Sequence, residues 1–217
     1  MLAWEPARLA HPRFARIADL IARLADERDW PSIDRMNACF GAELASVGVR
    51  LIEAGKTKPA LAADGTIDPA SLYEVCIVER GEIPTRPCNA HDLLNAVVWA
   101  AFPHAKLALT RALAAVQRER AAGRATLPNA RTPAHDQLAL LDEGALLRAT
   151  TGDTISTWIF GHAIYEHAYA GVFDVRGAPV DLDVPVATRD AVDRTFAAVD
   201  FARIARTGAG VPLDGVC

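Results

Sequence analysis

Seven successive apolar residues, Ala96 to Phe102 in the order AVVWAAF, constrain this chain more than any other feature. A helix built from them has no polar face to turn to water, so it is buried on all sides rather than laid on a surface. Its entry is the opposite in character. Gly81, Pro84 and Pro87 punctuate an extended approach, after which Asn89, His91, Asp92 and Asn95 open the helix. Asn89 is a natural N-cap, and Asp92 stands three residues on, where a capping box places an acid. Polar side chains held at the mouth of a buried, rigid element are placed where binding groups belong.

His91 and Asn95 lie four residues apart and share one helical face with Trp99 and Phe102. Oriented polar groups beside large apolar rings are the makings of a small-molecule pocket. A buried hydrogen-bonding pair that fixes the packing of the entry loop fits the same pattern. Arg86, in IPTR, offers five donors to a carboxylate or phosphate, or else clamps Asp142 or Glu143 internally. Lys106, one turn past Pro103, reads either as a ligand-binding cation or as a solvent-facing charge.

With 217 residues, 51% hydrophobic and 23% charged, the chain is long enough to bury a sizeable core as a single domain over residues 1–217. Its net charge of −4 gives no basic stripe for nucleic acid. Arg118, Arg120 and Arg124 sit near a helix end, where cations complement the macrodipole, and read as a solvated terminus. Cys39, Cys76, Cys88 and Cys217 form no CxxC pair and no zinc-type spacing. The opening MLAWEPARLAHPRF interrupts the apolar run that a signal peptide needs, and no stretch approaches the ~20 apolar residues of a membrane span. The expectation is a cytoplasmic protein with reduced thiols, with no nucleic-acid and no membrane partner; oligomeric state is not written in the sequence.

Phe14, Ile17, Leu20, Ile21 and Leu24 recur at helical spacing between Pro12 and Arg28, and Trp30-Pro31 ends that segment. A second helix is expected from Ser32 to Leu44, then a short strand around Val49 to Ile52. Residues 54–69 carry turn chemistry and read as a surface loop. Leu72 to Arg80 alternates as a strand does. Pro103 breaks or kinks the buried helix, and a longer amphipathic one runs on to Gly123. Thr132 caps a short helix over Ala134 to Leu141, and Asp142-Glu143-Gly144 makes a turn. Ala145 to Thr150 is strand or helix. A helix containing Trp158, Ile159, Ile164 and Tyr165 follows, then extended segments over Val172 to Val186, a last helix from Arg189 to Arg206, and a loop tail.

Three further groups carry chemistry. His91-Asp92 is similar to the His-Asp pair of HD-type metal phosphohydrolases, but His11 is the sole upstream histidine and lies beside a proline. Capping by Asp92, with His91 bonded to a backbone carbonyl, is the commoner reading of such a pair. Asp136, Asp142 and Glu143 form an acidic cluster able to hold a divalent cation, although a turn explains the last two as well. In GHAIYEH, His162 and Glu166 stand one helical turn apart, a spacing that lets both coordinate a metal. The HExxH signature is absent, and a hydrogen-bonded pair near the core is the plainer reading. No phosphate loop or GxSxG elbow is present.

Taken in order, these residues resemble a bacterial family of unknown function, DUF3025: Trp30-Pro31 and Asn37, Tyr73-Glu74, the GxxPTR of residues 81–86, NxHDxxNAxVWxxFPxxK from Asn89 to Lys106, DExG from Asp142, and GHAxYE from Gly161. The family pattern has Trp at the position of Ala90, Asn and His at Thr110 and Leu113, and Arg and Thr at His135 and Ala139. If those positions built a site, altered specificity or reduced activity follows for this chain.

The resulting expectation is a mainly helical α+β domain in which a few short strands support a buried central helix, Asp92 to Phe102. The functional expectation is a hydrolase, metal-assisted through a divalent ion, acting on a small anionic substrate. His91, Asn95 and Asp142 are its candidate catalytic residues, Arg86, Trp99 and Lys106 its substrate-binding residues, and His162 and Glu166 its metal ligands. The alternative is a non-catalytic binding or assembly module in which the same groups form a structural network.

Overall fold

The computed structural model describes residues 3–55 and 58–207; the end of the tail read as loop, Cys217 included, lies outside them. In chain order the elements are α1 (Ala18–Ile21), α2 (Ile33–Ala45), β1 (Arg50–Glu53), α3 (Tyr73–Arg80), β2 (Glu82–Thr85), α4 (Ala90–Ala101), α5 (Pro103–Ala121), α6 (Pro133–Gly144), β3 (Ala145–Thr151), β4 (Thr154–Ile159), α7 (His162–Tyr169), β5 (Ala178–Asp183), α8 (Arg189–Ala197) and α9 (Phe201–Thr207). Strands β1 and β2 pair in parallel, and β3 lies at the centre of a second sheet, antiparallel to β4 and parallel to β5. The architecture is mainly helical α+β.

Helix α4 is the axis of the molecule. Asn89 caps it, Oδ1 accepting from the Asp92 amide at 3.0 Å, and from Leu93 onward every residue is buried. Burying so much apolar surface, at roughly 25 cal/mol per Å², places α4 against α1, α2, α5 and α7. Pro103 supplies the first residue of α5 and the chain turns through 116° there. Asp193 of α8 holds the start of α5, accepting from the backbone amides of His104 and Ala105 at 3.1 and 2.7 Å. Among the described residues, no single helix is long and apolar enough to cross a membrane.

The structure departs from the periodicity reading where short segments were ambiguous. Leu72 to Arg80 is the helix α3, not a strand, because Val75, Cys76 and Ile77 are buried in succession, which an alternating strand cannot do. Trp158 and Ile159 end β4, and the helix begins only at His162. Residues 142–144 are the last turn of α6, running straight into β3. The apolar face from Phe14 to Leu24 is buried as expected, but 3₁₀ turns over Pro12–Ile17 and Ala22–Leu24 flank the single α turn of α1. The last helix is broken between α8 and α9. Ile67, inside the expected surface loop, is buried against Leu72, Val75, Ala114 and Ala121.

Gly81 ends α3 at φ +67°, and a Cβ there would collide with the carbonyl oxygen of Gly48, which precedes β1. Left-handed backbone and close approach both require glycine. Gly81→Ala is therefore expected to cost about 2 kcal/mol or more in urea unfolding, whereas Gly65→Ala, with nothing near its Cβ, should lose only the conformational part.

Candidate functional site

Five separated stretches converge on one cavity of about 520 Å³. Its wall takes Tyr73 and Glu74 from the start of α3, Arg86 from the end of the β2 approach, His91, Asp92 and Asn95 from α4, Asp142 and Glu143 from α6, and His162 from α7. The volume suits a small ligand.

Gly161 explains how the last two stretches meet. A Cβ on it would clash with the carbonyl oxygen of Glu143 and the backbone of Gly144, so its bare α-carbon lets the start of α7 press onto the end of α6. The amides of Phe160 and Gly161 both donate to the Ala145 carbonyl at 3.0 Å and lock the junction. Helix α7 also packs on α4. His162 is thereby driven between His91 and Glu143.

The two imidazoles meet edge to face with their Nε2 atoms 3.2 Å apart, and Glu143 Oε2 lies 3.3 Å from His162 Nε2. Their other nitrogens are already engaged. His91 Nδ1 donates to Glu166 Oε2 at 2.9 Å, and His162 Nδ1 donates to the Asp142 backbone carbonyl at 3.0 Å. With both rings neutral, these bonds place the ring protons on Nδ1 and leave the two Nε2 lone pairs within reach of Glu143. That is the outer-sphere arrangement that orients histidine ligands around a metal ion. Two ligands at ~2.0–2.1 Å from a tetrahedral zinc ion stand ~3.3 Å apart, the spacing seen here. His91, Glu143 and His162 together form a candidate three-ligand centre.

Beneath it lies a buried ion pair. Lys106 Nζ donates to Asp142 Oδ1 at 2.6 Å, with the lysine side chain only 2% exposed and its ammonium 5.7 Å from the Trp99 ring centre. Asp142 Oδ2 is also 3.7 Å from His162 Nδ1. Burial opposes ionisation of Asp142, but the fields of Lys106 and His162 win and hold its carboxyl below the usual range. Burial, reinforced by Lys106, pushes the His162 imidazole down to about 4. His91 moves the other way, raised chiefly by its hydrogen bond to Glu166. Burial and then the neighbouring Asp142 raise Glu143.

Of the residues singled out from sequence, Arg86, His91, Asn95, Asp142 and His162 all border the cavity. Arg86 is bonded to Asp92 through Nε and Nη2 at 2.9 and 2.7 Å and through its backbone amide at 2.6 Å, rather than to Asp142 or Glu143. Asp142 meets Lys106 and not the Nε2 cluster. Asn95 Nδ2 donates to the Tyr73 hydroxyl at 3.1 Å, while its Oδ1 has no partner. Trp99 is buried in the core, outside the cavity lining. Lys106 is buried, not solvent-facing. Glu166 stands on the far nitrogen of His91, Nδ1, and not among the three groups gathered at the Nε2 atoms. Glu143 enters the sequence reading only within an acidic cluster able to hold a cation, with a turn as the alternative, and Glu74 only within a strand. Helical register would have found Glu143, since α6 continues through it.

Residues 61–152 match the model of a family described as a protein of unknown function (DUF3025). Over that stretch the chain is similar to DUF3025. The DUF3025 match takes in Tyr73 to Glu143 but stops short of His162 and Glu166, as it also excludes Trp30-Pro31 and Asn37. No curated protein and no solved structure matches the chain.

In the metal-free protein the two histidines form a coupled pair whose steps should be well separated. Proton NMR is expected to show His91 titrating above the ordinary 6.5 and His162 near 4. The raised group stabilises the fold fully below 6.5 and loses that contribution as pH rises through its folded value; the depressed group costs stability as pH falls from 6.5 towards 4. Coincident titrations near 6.5 would contradict the described geometry.

Proposed function

We propose that this protein is a metal-assisted hydrolase whose divalent ion is held by His91, His162 and Glu143 at the wall of the cavity. The observation that carries the reading is the pair of Nε2 atoms 3.2 Å apart, both with Nδ1 committed elsewhere. Once His91 gives up its proton, the two imidazoles face each other lone pair to lone pair, and an ion between them would satisfy both. Three protein ligands leave a further position for water or substrate, which is the pattern of catalytic rather than structural centres. A bound ion would supply Lewis acidity and bring water towards ionisation near neutral pH.

The chain's own residues set the rest. Glu166 fixes the tautomer and orientation of His91, and the Asp142 carbonyl does the same for His162. Lys106 neutralises Asp142, so among the described residues the uncompensated carboxylate beside the Nε2 atoms is Glu143. Arg86, expected as the anchor for an anionic substrate, has its charge balanced by Asp92; in this reading a bound ion would supply the positive charge that a substrate oxyanion or carbonyl oxygen needs. Asn95 and Tyr73 supply neutral hydrogen-bonding groups farther along the wall.

Calorimetric titration with zinc, manganese and nickel should find a single tight site for at least one ion. His162→Ala and Glu143→Ala should each weaken it by about 100-fold, and Glu166→Gln by about 10-fold. The loaded protein should hydrolyse an activated ester or phosphoester in a panel of chromogenic substrates, with activity rising through neutral pH. Wild-type affinities no better than those of His162→Ala would refute the centre. Tight binding without turnover across the panel would refute the hydrolase and favour a binding module.

A further inference from the structure

The charges lining the cavity are unevenly matched. Arg86 is balanced by Asp92, Asp142 by Lys106 behind the wall, and Glu143 lies 3.3 Å from His162 Nε2. Glu74 has neither a cation nor an imidazole beside it among the described residues. It sits in the first turn of α3, partly buried in the same wall, and no cation stands within ion-pair distance of it among the described residues. Its carboxyl bonds to Gln117. Arg120, whose field reaches it, has Nη1 committed to Gln117 Oε1 at 3.0 Å and Nη2 to the carbonyls of Pro128 and Ala130 at 3.0 and 3.3 Å. Beside Glu74 in the chain, Tyr73 accepts from Asn95, whose own Oδ1 lacks any donor although the residue is more than nine-tenths buried. A carboxyl with no cation partner and a buried amide oxygen with no donor thus belong to two residues that border one cavity, and N–H groups of a cationic ligand would serve both.

We propose that Glu74 and Asn95 form a subsite for a cationic nitrogen group of the ligand, an amidinium, guanidinium or primary ammonium, in the same cavity as the histidine pair. Such a group donates several N–H bonds and carries the charge that Glu74 is missing. Burial, with the Asp142 field behind it, already raises the Glu74 carboxyl above its ordinary range; an incoming cation relieves that penalty. The inference rests on the proposed metal centre for its substrate class, a small molecule with a hydrolysable bond at one end and a basic nitrogen at the other, but the subsite stands on Glu74 and Asn95 alone.

Benzamidine, benzamide and benzoate have nearly the same shape and carry charges of opposite sign or none, so they separate charge recognition from fit. In calorimetric titrations of the zinc-loaded protein, benzamidine should bind about tenfold more tightly than benzamide, and Glu74→Gln should abolish that difference while leaving zinc affinity unchanged. Equal affinities of the wild type for benzamidine and benzamide would overturn the subsite, as would a difference that survives Glu74→Gln or tighter binding of benzoate that is also seen without zinc. Should Glu74→Gln fail to fold, the wild-type comparison decides alone. If none of zinc, manganese and nickel loads, the hydrolase reading falls, and the same comparison on the protein as purified, with Glu74→Gln against Glu143→Gln, still tests Glu74.

Discussion

Complete burial of α4 is the constraint from which the rest of the molecule follows. An apolar helix with no wet face is stable only when covered all round, and α1, α2, α5 and α7 do the covering. Its single polar end must then emerge somewhere, and it emerges at the cavity. The same packing that buries Val97, Val98 and Trp99 therefore carries His91 to the surface of a pocket. Helix α7, pressed on α4 at one side and on α6 at the other through Gly161, delivers His162 to within hydrogen-bonding distance of it.

Around this pair, the protein spends buried polar groups in a way that packing alone does not demand. Lys106 and Asp142 would cost little to replace with apolar residues of like volume, since desolvating two charges offsets most of their attraction. Removing one partner alone is far more damaging. What the pair secures is position: Asp142 gives His162 its carbonyl and is itself pinned by Lys106. Glu166 secures His91 from the opposite side. Both rings are therefore held by groups that touch only their Nδ1 atoms, and the Nε2 atoms are aimed at a common point beside Glu143.

Much of this was legible from residues whose roles are local. The caps Asn89 and Thr132, the buried run from Ala96, and the corner at Pro103 each declare themselves within a turn of helix. Short elements were not. YEVCIVER fits a strand as well as a helix when eight residues are weighed by alternation, and the deciding facts were Gly81 in the left-handed region and the burial of Ile77 beside Cys76. Among the site residues, those attached to α4 could be placed because its orientation was forced. The separation of ligand from support was hidden, because Glu166 and Glu143 differ only in which nitrogen of which ring they reach, a matter of tertiary approach through Gly161. Burial of Lys106 was equally hidden, because its partner lies on another helix.

X-ray absorption at the zinc edge of the loaded protein addresses the centre most directly. Two imidazole nitrogens and one carboxylate oxygen at ~2.0–2.1 Å, with one nitrogen lost in either His91→Ala or His162→Ala, is the expected result. A zinc shell made of oxygen alone, or one left unchanged by both substitutions, would contradict it.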